Sequence, residues 1–331
     1  MKFQGIRVAI VPPRALGDAT LYLRLAWLFH REGAVVDFFS DTLYSARAFF
    51  DWLQIEPLAT GGLPALAARH DLVVSHFNHL PAETTAREHC LALRNIAFVT
   101  AKKLPPSLAL QGREVMVGER CFRGASTALC LDTKAGLNMV QWIDRYAQAV
   151  FGIAPDACAS MLTAVEAAAP ASGRVVIFPT TPHASKNYSM GGFRRLAQRL
   201  ARRGWRVEFV CLPREEAQIQ ARFPAFPVYS FADTKGLISH LLGAACVISN
   251  DSGGGHLASL LGLRTFTITR RHERFVWRPG FNGQNRVLTP LLRIKWFGDY
   301  IWRPFVPVWR IVEALGVYAP AGEAVAQGEA R

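Results

Sequence analysis

The chain has 331 residues, half of them hydrophobic and 19% charged, with 38 Lys and Arg against 25 Asp and Glu for a net charge of +13. This excludes a disordered chain, a collagen-like repeat and a long coiled coil, and at roughly 150 residues per domain the length predicts about two domains. The positive excess, mostly arginine, favours an anionic partner: nucleic acid, a phosphorylated metabolite or an acidic membrane surface.

Cys90, Cys121, Cys130, Cys158, Cys211 and Cys246 form no CxxC pair and are too sparse for a disulfide scaffold. Reduced thiols in a cytoplasmic protein, with no zinc site, are the expectation. Arg7 and Pro12-Pro13 break up the first apolar run, so no signal peptide is expected. No stretch approaches the roughly 20 apolar residues of a membrane-spanning helix.

Ile6 to Val11 is a β-branched run that reads as a buried strand, stopped by Pro12-Pro13. After a turn over Arg14 to Asp18, Leu21, Leu25, Leu28 and Phe29 recur at helical spacing over Ala19–Arg31, and Gly33 is a plausible cap. Val35 to Phe39 is the next strand. Strand, helix, strand in this order is a βαβ unit, the building block of parallel sheets. Leu72–Ser75 and Ile96–Val99 read as further strands, and Asn138–Phe151 as a long amphipathic helix. Small residues, Pro and Gly over 154–173 mark a linker containing a short helix.

The second half repeats the grammar. Strands are predicted at Val175–Phe178, Val207–Cys211, Val228–Ser230, Cys246–Ser249 and Thr265–Thr269. Helices are predicted at Gly191–Arg203, Glu215–Arg222, Lys235–Ala245 and His256–Leu261. The expected fold is α/β, two Rossmann-like doubly wound parallel sheets facing across a cleft. The domains are 1–153, a linker at 154–173, a second domain over 174–305, a C-terminal helix at 306–318 packing back on the first domain, and a tail at 319–331. Ligands in such sheets bind beyond the carboxyl ends of strands, so the site is expected there.

Three motifs sit at such ends. Ser249-Asn250-Asp251-Ser252-Gly253-Gly254-Gly255-His256 follows a strand and opens a helix. Glycines let backbone amides approach a ligand, and a helix N-terminus offers unpaired donors suited to phosphate. The alternative is a glycine-rich turn with an Asp or Ser N-cap. Thr180, Thr181, Ser185 and Lys186 place hydroxyls and an ammonium in the loop after Phe178; Lys is a point-charge phosphate binder, and the alternative is a solvated loop. Arg14-Ala15-Leu16-Gly17-Asp18 places a carboxylate after the first strand, either as a general base for a hydroxyl or as the N-cap of the next helix.

Together these residues resemble the heptosyltransferase-like glycosyltransferases, GT-B fold enzymes of lipopolysaccharide core assembly. Asp251-Ser252-Gly253-Gly254-Gly255-His256, continued through Gly262, resembles the family's donor signature D-[ST]-G-x-x-H-x-A-x-x-L-G. Arg14 to Asp18 looks like its R-x-x-G-D element, and Asn138 to Tyr146 like the helix closing the acceptor domain. The resemblance implies Asp18 as catalytic base and Arg14 at the acceptor. It implies Thr180, Thr181, Lys186, Asp251, Ser252, Gly253 and His256 around the donor, with Glu215 or Glu216 on the nucleotide ribose. It further implies inverting, metal-independent transfer with no cofactor, a nucleotide-sugar donor such as ADP-heptose, and a lipid-linked glycan acceptor. The chain departs from the family where Thr180-Thr181 stands one residue further from Lys186, and where Thr269-Arg270-Arg271-His272 replaces a Gly-Pro pair.

Trp296 to Phe305 mixes aromatic and basic residues, which fits either core packing or peripheral docking on an anionic inner membrane. Arg194, Arg195, Arg199, Arg202 and Arg203 lie on or near one helix, as a solvated face or as an attractor of phosphorylated glycolipid. Arg47, Lys102, Lys103, Arg113, Arg120 and Arg123 could meet an acidic acceptor. No nucleic-acid-binding pattern accompanies the charge. The competing functional class is a non-catalytic nucleotide- or polyanion-binding protein on a degenerate GT-B fold.

Overall fold

The structure, a computed structural model, describes residues 2–58, 61–110, 112–156, 161–162, 173–296 and 299–318. Contacts divide the chain into two compact units, Met1–Ala164 and Val165–Arg331, and the division falls inside the predicted linker. The short helix expected there, Cys158, and the tail at 319–331 lie outside the described residues.

In the first unit, β1 (Arg7–Val11), β2 (Val35–Phe39), β3 (Gln54–Glu56), β4 (Leu72–Ser75), β5 (Ile96–Thr100) and β8 (Thr127–Ala128) form a sheet in the order β3-β2-β1-β4-β5-β8. All its pairings are parallel, with Val8 opposite both Val36 and Leu72. An antiparallel hairpin, β6 (Glu114–Val117) and β7 (Arg120–Arg123), stands apart from it. Both faces of β1 are covered, which is why it reads as an unbroken apolar run. One layer holds Val11, Leu63, Leu66, Val73 and Phe98. Elsewhere Phe3 meets Phe29 edge-on at 5.1 Å, and both meet Phe151.

Helix α1 (Leu16–Arg31) begins earlier than its spacing suggested. Its N-cap is Ala15, which offers no side-chain hydrogen bond. Asp18 is therefore the third residue of the helix and does not cap it. Helix α5 (Met139–Tyr146) opens on a capping box: Asn138 Oδ1 accepts from the Gln141 amide at 3.0 Å, and Gln141 Oε1 accepts from the Asn138 amide at 2.9 Å. The predicted helix to Phe151 is completed by a π-helical turn over Ala147–Phe151, which ends at left-handed Gly152, φ +67°.

Arg24 is completely buried in α1. Its Nε lies 2.7 Å from Asp144 of α5, and its Nη1 lies 2.8 Å from Asp156. Trp27 Nε1 donates to Asp156 at 3.0 Å, and Arg31 pairs with it at 2.8 Å. Burial raises the Asp156 carboxyl, but hydrogen bonds from Arg31, Trp27 and Arg24 outweigh it and hold it below its ordinary range. This network ties α1 to the end of the unit.

The second unit repeats the design. β9 (Arg174–Phe178), β10 (Arg206–Cys211), β11 (Val228–Ser230), β12 (Cys246–Asn250), β13 (Arg264–Ile268) and β14 (Asn285–Leu288) pair in parallel in the order β11-β10-β9-β12-β13-β14. β14, and the hairpin β15 (Ile294–Trp296) and β16 (Asp299–Ile301), were not anticipated from the sequence. Helix α6 (Met190–Ala201) is capped by Ser189, whose hydroxyl accepts from the Gly192 amide at 3.0 Å, and buries Phe193, Leu196, Ala197 and Leu200. Helix α7 (Glu216–Arg222) follows a 3-10 turn over Pro213–Glu215, and α8 (Thr234–Leu241) precedes β12.

Helix α9 (Gly253–Leu260) takes the glycines into the helix itself, whereas the sequence placed its start at His256. Helix α10 (Trp309–Leu315) buries Ile311 and Val312 in the core built on Val175, Phe193 and Phe209. It is thus part of the second unit's core, where the sequence reading set it apart as a helix packing back on the first domain.

Replacing Arg24 with Met should cost roughly 2–3 kcal/mol, below the 3–5 kcal/mol of a fully buried broken pair because both carboxylates keep some solvent contact. Urea unfolding followed by circular dichroism measures it; a loss under about 0.5 kcal/mol would show that the network does not hold the unit.

Candidate functional site

In each sheet one pair of neighbouring strands sends its following connections in opposite directions. They are β1 and β4 in the first unit, and β9 and β12 in the second. Such a switch point leaves a crevice beyond the carboxyl ends of the two strands. All three sequence motifs leave strands of these pairs.

In the second unit the loop after β9 and the turn after β12 are joined by Asn250. Its side chain is inaccessible to solvent. Oδ1 accepts from the Tyr188 amide at 2.8 Å, and Nδ2 donates to the Pro179 carbonyl at 2.9 Å. Tyr188 and Pro179 bracket the loop carrying Thr180, Thr181 and Lys186. Arg303 grips it from outside, Nε to the Asn187 carbonyl at 2.7 Å and Nη2 to the Ala184 carbonyl at 3.1 Å. Sequence reasoning assigned neither residue a role. Asn250 had a legible signal, a fully polar side chain ending an apolar strand; Arg303, more than a hundred residues from its partners, had none.

The clamp brings Lys186 to Asp251, Nζ to Oδ2 3.2 Å, within ion-pair range although not aligned as a hydrogen bond. The Asp251 side chain is 8% exposed, while Lys186 keeps 31% of its side chain exposed. Thr180 Oγ1 donates to Glu215 Oε2 at 2.9 Å, and Glu216 turns away to Ser230, so Glu215 is the acid that reaches the β9 loop. Thr181 is buried and its hydroxyl serves the loop, donating to Asn187 Oδ1 at 2.7 Å and accepting from the His183 amide at 3.3 Å.

Ser252 is the N-cap of α9, yet its hydroxyl caps nothing. Ser249 Oγ, Ser252 Oγ and His256 Nδ1 are buried without a hydrogen-bond partner among the described residues, and Asp251 Oδ2 has only its ion pair with Lys186. Buried polar atoms are rarely left so, and this cluster within eight residues singles out the start of α9 as a candidate site.

The glycines divide their work. A Cβ on Gly254 would stand 2.9 Å from the Phe178 ring, and one on Gly255 would stand 2.6 Å from Ser249 Oγ. These two glycines let α9 lie directly on β9 and β12, a packing role that the ligand-approach reading overlooked. His256 also differs from expectation. It is buried, and desolvation pushes it down to about 4 against the pull of Asp251 and the Trp277 backbone. Burial therefore favours the uncharged ring.

In the first unit, Asp18 is half-buried in the first turn of α1, and Arg14 is exposed before it. Across the crevice the 3-10 turn after β4 supplies His76 and His79, which sequence reasoning passed over. His79 Nε2 donates to the Pro12 carbonyl at 2.8 Å, and His76 Nε2 lies 3.1 Å from Thr100 Oγ1 at the end of β5. Burial and the neighbouring His79 lower His76 to about 4. Among the described residues no group of three or more His, Cys, Asp or Glu is placed to hold a metal ion. Among the described residues no helix is long and apolar enough to cross a membrane.

Between about 4 and the ordinary 6.5, His76, His240 and His256 bind less proton in the folded chain than in the unfolded one. Stability should therefore fall as pH drops from 6.5 toward 4. Thermal unfolding across this range should show a shallower slope in His256→Asn than in the parent chain; equal slopes would mean that His256 titrates normally.

Residues 139–291 match the model of glycosyltransferase family 9 (heptosyltransferase). No curated protein sequence matches the chain. Among solved structures it resembles the E. coli heptosyltransferase WaaC determined with ADP: TM-score 0.66, 15% identity, covering 94% of this chain and 99% of that one. E. coli ADP-heptose lps heptosyltransferase II gives a TM-score of 0.63 at 14% identity, covering 94% and 97%. A family 9 glycosyl transferase from Veillonella parvula gives 0.67 at 13%, covering 95% and 97%. The GT-B fold and the resemblance to the heptosyltransferase-like glycosyltransferases are thereby established, and the family match, which begins in the last helix of the first unit and runs through much of the second, supports a glycosyltransferase.

Proposed function

We propose that the chain transfers a sugar, with inversion, from a nucleoside diphosphate donor to the hydroxyl of a lipopolysaccharide-core or related glycan. The observation that carries this reading is the convergence of Lys186, Asp251 and the uncapped start of α9 on one switch point, beside buried polar atoms that lack partners.

The donor's diphosphate fits that crevice. Lys186 supplies a fixed positive charge, and the amides opening α9 at Gly253 and Gly254 supply oriented donors. Both stabilise the negative charge that grows on the leaving group as the bond from anomeric carbon to phosphate oxygen breaks. That charge is the task a divalent cation performs in other transferases, so the reading is a metal-independent one. Neutral His256 acts through its ring dipole and a hydrogen bond. Glu215, held by Thr180, is the acid placed to accept from a ribose hydroxyl. Asp18 takes the proton of the acceptor hydroxyl as that oxygen attacks the anomeric carbon from the face opposite the leaving group. Arg14, exposed just before it, is suited to an anionic acceptor. The heptose and the adenine base rest on the resemblance to the family.

Asp18→Asn should lower transfer by about 10²–10⁴-fold while the Kd for ADP changes less than about two-fold. Turnover measured by ADP release, with binding by calorimetry, separates the two; near-normal turnover removes Asp18 from the base role. Binding of nucleoside diphosphates with no transfer from any sugar nucleotide would instead favour the non-catalytic reading.

Lys186→Met should weaken ADP binding about ten- to a hundred-fold. Part of any loss could come from leaving Asp251 unpaired, so Lys186→Met/Asp251→Asn is the informative companion. If Lys186 grips phosphate, the double variant stays weak; if the loss came from Asp251 alone, affinity returns.

A further inference from the structure

Both units tie down the loop after their switch-point strand in the same way. In the second unit Asn250, at the end of β12, donates to the carbonyl of Pro179, the residue that follows β9, at 2.9 Å. In the first unit His79, beyond β4, donates from Nε2 to the carbonyl of Pro12, the residue that follows β1, at 2.8 Å. β1 and β9 stand third in their sheets, and β4 and β12 fourth. Each unit thus holds the same prolyl carbonyl with a side chain from across the switch point. Asn250 secures the loop that bears Lys186. The loop that His79 secures leads into Asp18.

The histidine is itself held. It closes the 3-10 turn Phe77–His79, which His76 opens. His76 Nδ1 accepts from the Asn78 amide at 3.2 Å, so its Nε2 carries the proton and donates to Thr100 Oγ1, at the end of β5, at 3.1 Å. A carbonyl only accepts, so His79 Nε2 is protonated whichever charge the ring bears. At the receiving end, α1 starts without a side-chain cap, and its place depends on what holds the chain before it. Two carbonyls there are held, Pro12 by His79 and Arg14 by the Thr42 hydroxyl at 2.7 Å. Pro12 and Pro13 have restricted φ, which stiffens the link between the first anchor and the helix. Asp18 and Tyr22 lie one turn apart on one face of α1. The Tyr22 hydroxyl donates to the Val99 carbonyl at 2.8 Å, so this face turns toward the end of β5, the strand whose Thr100 anchors His76.

We propose that His79 is a positioning residue for the transfer reaction: its bond to the Pro12 carbonyl sets where Asp18 stands against the acceptor hydroxyl, and the ring itself exchanges no proton with substrate. This rests on Asp18 being the base. Proton abstraction requires the carboxylate within hydrogen-bond reach of the hydroxyl, and a displacement of about 1 Å can cost on the order of a hundred-fold in rate. Without His79 the first anchor is lost and Thr42 alone holds the segment before α1. The nucleotide crevice of the second unit uses none of these residues, so donor binding should not feel the change.

The test compares His79→Met, which keeps bulk but has no donor, with His79→Gln, whose amide can donate in place of Nε2. Turnover is read as ADP release from ADP-heptose with deacylated lipopolysaccharide core as acceptor, and ADP affinity by calorimetry. His79→Met should lower kcat about ten- to a hundred-fold with the Kd for ADP within about two-fold, and His79→Gln should restore most of the rate. Added to Asp18→Asn, His79→Met should lower turnover by less than about two-fold more, because it acts through Asp18. Amide exchange over residues 14–19 should quicken about ten-fold in His79→Met while α5 stays protected, which also shows that the unit remains folded. Thr42→Val removes the other anchor and should give the same signature, so the test stands even if His79→Met does not fold. Normal turnover in His79→Met beside a slow Asp18→Asn would overturn the inference and leave the base in place. A full multiplicative loss in the double variant would overturn it by making His79 an independent contributor. Normal turnover in Asp18→Asn would remove the base assignment, and the inference with it.

Discussion

The functional reading depends on one constraint: in a parallel sheet every strand points its carboxyl end the same way, so the connections all begin at one edge. Where two adjacent strands send those connections apart, the loops cannot fill the space between them. In the second unit that space lies beyond Phe178 and Asn250. The backbone there would be loose without Asn250, which spends both halves of its amide joining the two loops. The fold thus holds the groups proposed to meet the diphosphate at a defined separation before any ligand arrives, which would reduce the ordering that binding requires.

The glycine run shows how packing and binding share a motif. Gly254 lies against the Phe178 ring and Gly255 against Ser249 Oγ, at distances that exclude any Cβ. The helix is drawn onto the sheet, and its first turn is carried to the carboxyl edge where its amides remain open. Close approach and the proposed anion affinity therefore have one cause. Ser252 belongs to the same arrangement: its carbonyl accepts from the Gly255 amide at 3.2 Å, while its hydroxyl caps nothing.

The two-unit α/β design was legible because buried parallel strands are unbroken apolar runs and the helices between them carry clear stripes, as in Val8–Val11 or Phe193–Leu200. Edge and accessory elements were not legible. Gln54–Glu56 and Asn285–Leu288 are short and partly polar, and only their neighbours make them strands. Helix starts were misplaced at Leu16, whose N-cap Ala15 carries no capping group, and at Gly253, where three poor helix formers in a row read as a turn. In the candidate site, residues that would touch a ligand announced themselves through motif and position. Residues that hold the loops, Asn250 and Arg303, act through backbone carbonyls far away in sequence, and a backbone carbonyl leaves no trace in residue identity. His76 and His79 are the intermediate case: they follow a strand at a switch point, a positional signal stronger than their spacing.

The pairing of Lys186 with Asp251 sets a carboxylate beside the proposed diphosphate, an arrangement that at first opposes anion binding. A lysine on a 3-10 turn has four rotatable bonds and about 2 kcal/mol of rotamer freedom to lose. Asp251, buried and rigid at the end of β12, removes much of that freedom in advance. It does so weakly, since the ion pair is not aligned as a hydrogen bond and Lys186 keeps a solvent-exposed flank. A diphosphate brings more charge than one carboxylate and can share the ammonium through its remaining N–H groups without expelling Asp251. The acid then has unused lone pairs directed at the same crevice, suited to a donor hydroxyl. On this reading the cost of the like-charged neighbour is offset twice, by the ordered lysine and by a contact that only a hydroxyl-bearing ligand can make, so the pair discriminates a sugar nucleotide from bare phosphate.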